Sequence, residues 1–339
     1  MRKTIIALAF SALFISCIAE KKSETQVITL SNGTIEIKLL PAVGGTLVSA
    51  SLTGKENILN SDSTLWNLSQ DKRPTMDPTR PFKPYNGMIV WLSPQSEWWI
   101  KQDKYPELKQ SRAQWPPDPY LTSATYKITN QTASEITIES PESPFTHVQF
   151  TKTFGIEGNK VFITASARNC NKDTVSWGLW FNTRMNGWDK VMVPADSVDL
   201  VKSQYMNSSN IRQPELKYAD SCFSYQSIAP EAGQAGYKAK SFFAVDNPVI
   251  IGYKANQLLI IKSKTIDRQR IHPEQCRVEI YIENSANKVN DLQELEMHFA
   301  YEKIAPGASI EASQNWEILP ASEISENEKL PLEIKAKLK

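Results

Sequence analysis

The sequence predicts an all-β protein whose strands form antiparallel sheets in a sandwich or a barrel. Apolar and polar residues alternate with a period of two in several segments, which is the pattern of strands with one buried face. Clusters of Asn, Gly, Pro and Lys separate short β-rich runs, and no amphipathic pattern extends over three helical turns. Many short strands with turn signals between them are typical of antiparallel architectures, and no internal repeat indicates a propeller or a solenoid.

The clearest predicted strand covers residues 277–283. Its apolar face carries Val278, Ile280 and Ile282, and its polar face, which we expect to be solvated, carries Arg277, Glu279, Tyr281 and Glu283. The same alternation runs through residues 35–39 and 136–138. Further short β-rich runs predict strands at 161–164, 242–245, 249–253 and 258–261.

Composition excludes several classes of function. The 38 basic and 37 acidic side chains leave a net charge of +1, so we expect no nucleic-acid partner. Three histidines and four cysteines are too few for a Cys/His zinc cluster, and no Cys-x-x-Cys pair occurs, so we expect no metal and no cofactor. Function is therefore sought in carboxylates, aromatic rings and amides.

The N-terminus has the pattern of an export signal. Arg2 and Lys3 precede an apolar stretch at 4–16, which is too short to span a hydrocarbon core of about 30 Å. The run 13–17 resembles a bacterial lipobox, which predicts a lipoprotein signal peptide at 1–16, lipidation of Cys17 and a polar tether at 17–26. We therefore expect a lipid-anchored protein of the cell envelope, periplasmic or surface-exposed. A plain secretory signal, or a signal retained as an anchor, is the alternative.

Export would place Cys170, Cys222 and Cys276 in an oxidising compartment. Three cysteines form at most one internal disulfide, and the spacing does not show which pair. Three free cysteines are equally compatible with the sequence, because a buried cysteine behaves as a small apolar residue.

One β-rich domain is predicted at 27–320, followed by a Glu- and Lys-rich polar tail at 321–339. Residues 69–120 interrupt the strand pattern with nine of the twenty prolines and four of the nine tryptophans. Proline cannot donate to a sheet ladder, so this stretch is predicted to be a loop with one short strand near 88–92. Long loops in compact domains usually carry function.

Aromatic and amide side chains in and near this loop are candidates for ligand binding. A tryptophan in a polar loop offers a large apolar face and an N–H donor, which suits stacking on sugar rings. The alternative is that the loop buries its tryptophans as a satellite cluster. The candidates in the loop are Trp91, Gln95, Trp98, Trp99, Trp115 and Asp118. Trp180 and Arg184, on or just after a later strand, are further candidates. Arg184 also has the alternative of a surface ion pair.

An ordered set of motifs resembles a known family. The set consists of the segments 30–37, 41–47, 54–59, 86–95 and 115–119, followed by Leu295-Glu296 and 304–307. Together these segments resemble the galactose-mutarotase-like (aldose 1-epimerase-like) superfamily, in an uncharacterised bacterial lipoprotein branch. The resemblance covers about 27–320. It implies an antiparallel β-supersandwich whose concave face holds a sugar.

The resemblance carries over only part of the family's catalytic machinery. The family uses two histidines and a glutamate, and no histidine lies near 177–182, where one is expected. Glu296 matches the glutamate. Glu294, Glu296 and His298 alternate with apolar residues and so share one strand face, where they form an acid–base group or an ordinary solvated surface.

The sequence therefore favours a membrane-tethered, extracytoplasmic carbohydrate-binding protein, with a carbohydrate ligand and the membrane as its partners. One alternative is an active aldose 1-epimerase-like enzyme that carries out hexose mutarotation with Glu296. The other is a non-catalytic envelope scaffold, which the missing histidines would permit. Since a fold hosts many functions, the arrangement of the site decides between them.

Overall fold

A computed structural model describes residues 27–186, 190–205, 216–226, 237–284 and 291–321. The predicted signal peptide at 1–16, the tether at 17–26 with Cys17, and the tail beyond residue 321 lie outside these ranges. In the described part of the chain, no helix has the length and apolarity needed to cross a membrane.

Two large antiparallel sheets account for most of the described residues. The first sheet, here called the site sheet, has the strand order β1-β2-β3-β4-β9-β18-β17-β14-β11, with β19 paired to β9. Its strands are β1 (Ile28–Ser31), β2 (Ile35–Leu40), β3 (Thr46–Leu52), β4 (Met88–Ser93), β9 (Val175–Asn186), β11 (Val201–Tyr205), β14 (Tyr237–Phe243), β17 (Val278–Asn284), β18 (Leu292–His298) and β19 (Glu302–Ile304).

The second sheet, here called the back sheet, has the order β12-β13-β10-β15-β16-β20-β8-β7-β6-β5. Its strands are β5 (Lys127–Gln131), β6 (Glu135–Glu139), β7 (Val148–Glu157), β8 (Lys160–Asn169), β10 (Lys190–Pro194), β12 (Lys217–Ala219), β13 (Cys222–Gln226), β15 (Val249–Lys254), β16 (Gln257–Lys262) and β20 (Ser309–Pro320). The all-β antiparallel sandwich predicted from the sequence is confirmed, and the predicted strands at 161–164, 249–253 and 258–261 fall within β8, β15 and β16.

The main core lies between the two sheets. In β7, every second residue from Val148 to Ile156 is buried, as a strand with one covered face requires. Met185 of β9 and Leu295 of β18 approach Gly252 of the back sheet closely, so these side chains point inward. Because neighbouring residues of a strand point to opposite faces, Arg184 and Glu294 point away from the back sheet.

The proline-rich stretch at 69–120 crosses the outer face of the site sheet. As predicted, it holds one strand, β4, and otherwise consists of loops and short helical turns. Its helices are α1 (Pro106–Gln110) and α2 (Pro119–Thr122), each with proline in the first turn, where the missing N–H costs nothing. Single 3₁₀ turns occur at Ser63–Leu65, Gln70–Lys72, Gln95–Glu97, Val198–Leu200 and Arg268–Arg270.

The structure decides one question that the sequence left open and explains the residues of one turn. Cys170, Cys222 and Cys276 are all free. The turn at Gly44 and Gly45 has positive φ at both residues, and a Cβ on Gly44 would collide with the backbone of Thr122. Glycine is therefore required where β2 turns into β3 against the end of α2.

Candidate functional site

A row of polar side chains crosses four adjacent strands of the site sheet. Lys240 of β14 is in register with Tyr281 of β17, Tyr281 with Glu294 of β18, and Glu294 with Arg184 of β9. Directly opposed residues of antiparallel strands lie on the same face, so these four form one line. We call this line the floor row.

A second polar row runs beside the floor row on the same face. Glu279, Glu296 and Asn182 are in register across β17, β18 and β9, and all three are fully buried. One step further along β18, His298 is in register with Trp180, and their rings lie 5.0 Å apart. We call Glu279, Glu296 and His298, together with Lys240, the charged cluster.

The floor row opens into a cleft with a volume of about 770 Å³. Its walls combine aromatic rings, amides and charged groups from β4, β9, β14, β17, β18 and the proline-rich loop. The lining residues are Asn60, Asp62, Leu65, Phe82, Pro84, Asn86, Trp91, Gln95, Trp115, Trp180, Arg184, Lys238, Lys240, Tyr281, Glu283, Leu292 and Glu294.

The predicted trio on β18 does share one face, but that face is not a solvated surface. Glu294, Glu296 and His298 are all buried, because the loop crosses above them and neighbouring strands pair on both sides. Only Glu294 reaches the cleft wall. Its carboxylate binds Arg184 Nη2 at 2.6 Å and accepts a hydrogen bond from Asn182 at 2.9 Å. Arg184 therefore forms a buried ion pair in the cleft rather than a surface one.

The expectation that the polar face of β17 is solvated is wrong. Arg277 and Glu279 are buried, Tyr281 is half-buried, and Tyr281 and Glu283 line the cleft. Arg277 donates to the carbonyl oxygens of His298 and Lys264, which joins the end of β18 to the segment after β16. The polar residues face a covered concave surface instead of bulk solvent.

The charged cluster is held together by short contacts. Lys240 Nζ lies 2.7 Å from Glu279 Oε2 and 2.9 Å from Glu296 Oε2. His298 Nε2 lies 3.3 Å from the same two oxygens. An ammonium and an imidazole therefore bridge two buried carboxylates, and pairing of this kind is what allows charged groups to be buried.

These contacts set the protonation of the cluster. Burial raises the pKa of Glu279, but the charges of His298 and Lys240 outweigh burial and hold that pKa below its usual value. Burial lowers the pKa of Lys240 and of His298, yet the two carboxylates outweigh burial and raise both. Burial dominates at Glu296 and raises its pKa despite Lys240. Glu296 is therefore the carboxyl of the cluster that takes up a proton first as the pH falls.

Glu279, Glu296 and His298 are close enough together to offer three ligands to a metal ion. Two observations argue against that use. Lys240 places its ammonium between the carboxylates, where a cation would sit. His298 Nδ1 is buried without a hydrogen-bond partner among the described residues, whereas a metal-bound histidine normally donates its second ring N–H to an acceptor.

The structure brings five of the eight predicted ligand-binding residues to the cleft. Trp91, Trp180 and Arg184 line its inner wall, and Gln95 and Trp115 line the wall formed by the loop. Trp115 is 47% exposed, with its ring 4.9 Å from Phe82 and 6.3 Å from Trp91.

Trp98, Trp99 and Asp118 do not reach the cleft. Trp98 and Trp99 are buried, and their indole N–H groups donate to the carbonyl oxygens of Leu92 and Pro116, both at 2.7 Å. Asp118 is buried and accepts hydrogen bonds at the start of α2 and from Ser143. The three side chains, which the sequence predicted to bind ligand, lie outside the cleft and hold the loop in place.

The sequence did not indicate three further residues of the site, which are Lys240, Asn182 and Asn86. Asn182 and Lys240 each repeat the period-two pattern on their strands, with Arg184 and Lys238 as the polar neighbours two residues away. That pattern was a usable signal, since polar residues at alternate positions on four strands share one face. Asn86, which accepts from Arg184 Nη1 at 2.7 Å, lies in a loop and has no such signal.

The two packed antiparallel sheets form a sandwich of the galactose mutarotase-like type. The chain belongs to the family described as Domain of unknown function (DUF4380), which matches residues 25–319. No curated protein sequence matches the chain.

Solved structures share the architecture at low sequence identity. A proposed aldose 1-epimerase of Klebsiella pneumoniae is 11% identical, with a TM-score of 0.57 over 87% of this chain and 80% of that one. A galactose mutarotase-like protein of Lactobacillus casei is 9% identical, with a TM-score of 0.51 over 86% of this chain and 100% of that one. One from Clostridium acetobutylicum is 11% identical, with a TM-score of 0.50 over 87% and 95%. These similarities show a common fold.

Proposed function

We propose that the protein is a membrane-tethered, extracytoplasmic carbohydrate-binding protein that holds a sugar in the cleft of the site sheet. The observation that carries the proposal is the combination of a half-exposed tryptophan, Trp115, with the polar floor row in one cleft. Aromatic faces stack on the C–H faces of sugar rings, while carboxylates, guanidinium and amides bind the hydroxyls. The export signal and Cys17 support the tether, and the fold supports the choice of ligand class.

The cleft also distinguishes this proposal from a scaffold without a small ligand. A scaffold has no need for a cleft of about 770 Å³ whose lining combines aromatic rings with amide and charged side chains. Concave sites of this size with a few convergent polar groups are the usual form of small-molecule sites.

A glycan array with the purified protein tests the proposal. We expect binding to at least one sugar. Trp115→Ala should lower the affinity by about tenfold, since an aromatic stacking contact is worth roughly 0.5–1.5 kcal/mol beyond the area that it buries and about 1.4 kcal/mol corresponds to a factor of ten. Phe162→Ala is the matched control, because Phe162 is an exposed aromatic on the back sheet. An array without any hit, or equal losses in both variants, would contradict the proposal.

Aldose 1-epimerase activity is the second candidate. It is favoured by the contact of Glu296, the residue that matches the family's glutamate, with two titratable groups, Lys240 and His298. Against it, Glu296 is fully buried and its contact to the cleft passes through Lys240. We therefore expect no excess rate of glucose or galactose mutarotation by polarimetry. A clear rate that is lost in Glu296→Gln would establish this second candidate instead.

A further inference from the structure

Lys240 is the point at which the charged cluster reaches the cleft. Its side chain lines the cleft and is 15% exposed, whereas Glu279 and Glu296 below it are fully buried. An ammonium group has three N–H donors. Two of them are directed to Glu279 and Glu296, at 2.7 and 2.9 Å. The third has no acceptor among the described residues and is available to a ligand.

The two carboxylates also fix the ammonium in place. Glu279 and Glu296 come from adjacent strands in register, so Lys240 is held from two sides by rigid elements. Its Nζ also lies 5.2 Å from the centre of the Trp180 ring, which lines the same cleft. A lysine normally loses much rotamer freedom when it binds, and here that loss has occurred before the ligand arrives.

The charged side chains of the site are paired with one another without any ligand. Glu279 and Glu296 contact Lys240 and His298, and Glu294 contacts Arg184. Arg184 is committed to Glu294 and to Asn86. At the rim, Lys238 pairs with Glu283 at 2.9 Å. An anionic ligand would thus find each described cation of the cleft wall already in contact with a carboxylate, and it would lie beside the cleft-lining carboxylates Asp62, Glu283 and Glu294.

We propose that Lys240 contacts the ligand as a positioned donor, and that the carboxylates around it make the cleft select uncharged sugar oxygens over sugar carboxylates. Lys240 is a specificity-determining residue in this view, and Glu279 and Glu296 are positioning residues that act through it. The inference rests on the proposed carbohydrate-binding function. Like charges brought together without solvent cost several kcal/mol, so the selectivity should be easily measured.

Calorimetric titration with matched sugar pairs tests the inference. Galactose with galacturonate, glucose with glucuronate and mannose with mannuronate differ only in a hydroxymethyl or a carboxylate at one carbon. For at least one pair we expect the full chain to bind the neutral member at least about tenfold more tightly. Lys240→Met should weaken that binding by about tenfold or more, and Lys127→Met, at an exposed site on the back sheet, should not change it.

Lys240→Met leaves two buried carboxylates without their cation, and the variant can fail to fold for that reason alone. Glu296→Gln provides the second measurement, because it keeps the side-chain shape and the Lys240–Glu279 contact while it removes one negative charge. We expect it to reduce the preference for the neutral sugar by at least about threefold. A merely structural role would lower both affinities together and leave their ratio unchanged.

The outcomes separate the two proposals. Equal or tighter binding of the uronates, an unchanged ratio in Glu296→Gln, or wild-type affinity in Lys240→Met overturns the inference and leaves carbohydrate binding intact. If none of the six sugars binds and the glycan array shows no hit, carbohydrate binding fails and the inference fails with it.

Discussion

Lys152 on β7 carries an ammonium group inside the sandwich, on the face of the strand that faces the core. Its Nζ donates to the Gly44 carbonyl oxygen at 2.7 Å and lies 4.8 Å from the centre of the Tyr126 ring. No carboxylate pairs with it among the described residues. Burial therefore lowers the pKa of Lys152 to about 7. This lysine differs from Lys240, whose burial is compensated by two carboxylates.

The lowered pKa predicts how Lys152 affects stability. Below pH 7 the group is protonated in both the folded and the unfolded state, and burial of the charge costs its full amount. Between pH 7 and about 10.5 the unfolded state binds more protons, so the stability rises with pH and the cost disappears. We expect Lys152→Met to stabilise the protein by about 1–3 kcal/mol at pH 6, since the lost hydrogen bond to Gly44 offsets part of the gain.

Urea unfolding of both proteins between pH 6 and pH 10 measures this effect. The difference in unfolding free energy should shrink as the pH rises above 7. Lys127→Met is the control, because Lys127 is exposed on β5 and should give a difference that is small and independent of pH. A destabilised Lys152→Met variant at every pH would show that the hydrogen bond to Gly44 outweighs the buried charge.

At the scale of elements, the loop at 69–120 divides its tryptophans between two roles. Trp99 packs against Phe145 at 5.4 Å and Tyr105 at 6.3 Å between ring centres, and Trp98 packs against Trp91 at 5.6 Å. These contacts attach the loop to the site sheet and to the turn before β7. Trp115 lies at the outer wall of the cleft and remains half-exposed. The inner tryptophans hold the loop in position, and Trp115 faces the cleft.

This division predicts opposite outcomes for alanine substitutions. Trp98→Ala and Trp99→Ala should each lower the free energy of unfolding by about 3–5 kcal/mol, because each removes a buried ring and frees a carbonyl acceptor. Trp115→Ala should cost only about 1 kcal/mol, since its ring is half-exposed already. Chemical denaturation of the three variants provides the test. Similar losses at Trp99 and Trp115 would mean that the loop is a single packed unit without a ligand-facing side.

On the scale of the whole molecule, the two sheets differ in what their surfaces contribute to the site. The back sheet supplies the apolar surface that makes the site sheet rigid, and the site sheet presents its polar face to the cleft. Four separate strands contribute to the floor row, so the position of each polar side chain depends on ladder pairing across the sheet. Sites built on strands of a rigid scaffold hold their geometry better than sites on loops.

The proposed tether also belongs to the whole molecule. If Cys17 is acylated, Cys17→Ser should abolish fatty-acid labelling and release the protein from the membrane fraction or leave it unprocessed. Radiolabelled palmitate incorporation followed by membrane fractionation measures both effects. Cys170→Ser is the matched control, since Cys170 is a free cysteine in the body of the chain. Equal labelling of wild type and Cys17→Ser would refute lipidation at this position.

The sequence by itself determined the class of the fold and which residues of a strand lie on the same face. Period-two alternation is a property of a single strand, so it correctly placed Glu294, Glu296 and His298 together on one face of β18. It likewise placed Val278, Ile280 and Ile282 together on the buried apolar face of β17. Proline density likewise identified the long loop, because proline removes a ladder donor wherever it occurs.

Only the tertiary structure decided which polar face is covered and which residues meet there. Lys240 and Glu296 are 56 residues apart in the chain and become neighbours because β14, β17 and β18 pair side by side. The burial of Trp98 and Trp99, and the exposure of Trp115, depend on how the loop packs across the site sheet. Local patterns set the direction of a side chain, but strand pairing and packing between distant segments set its neighbours, and the neighbours determine the protonation and the accessibility of the site.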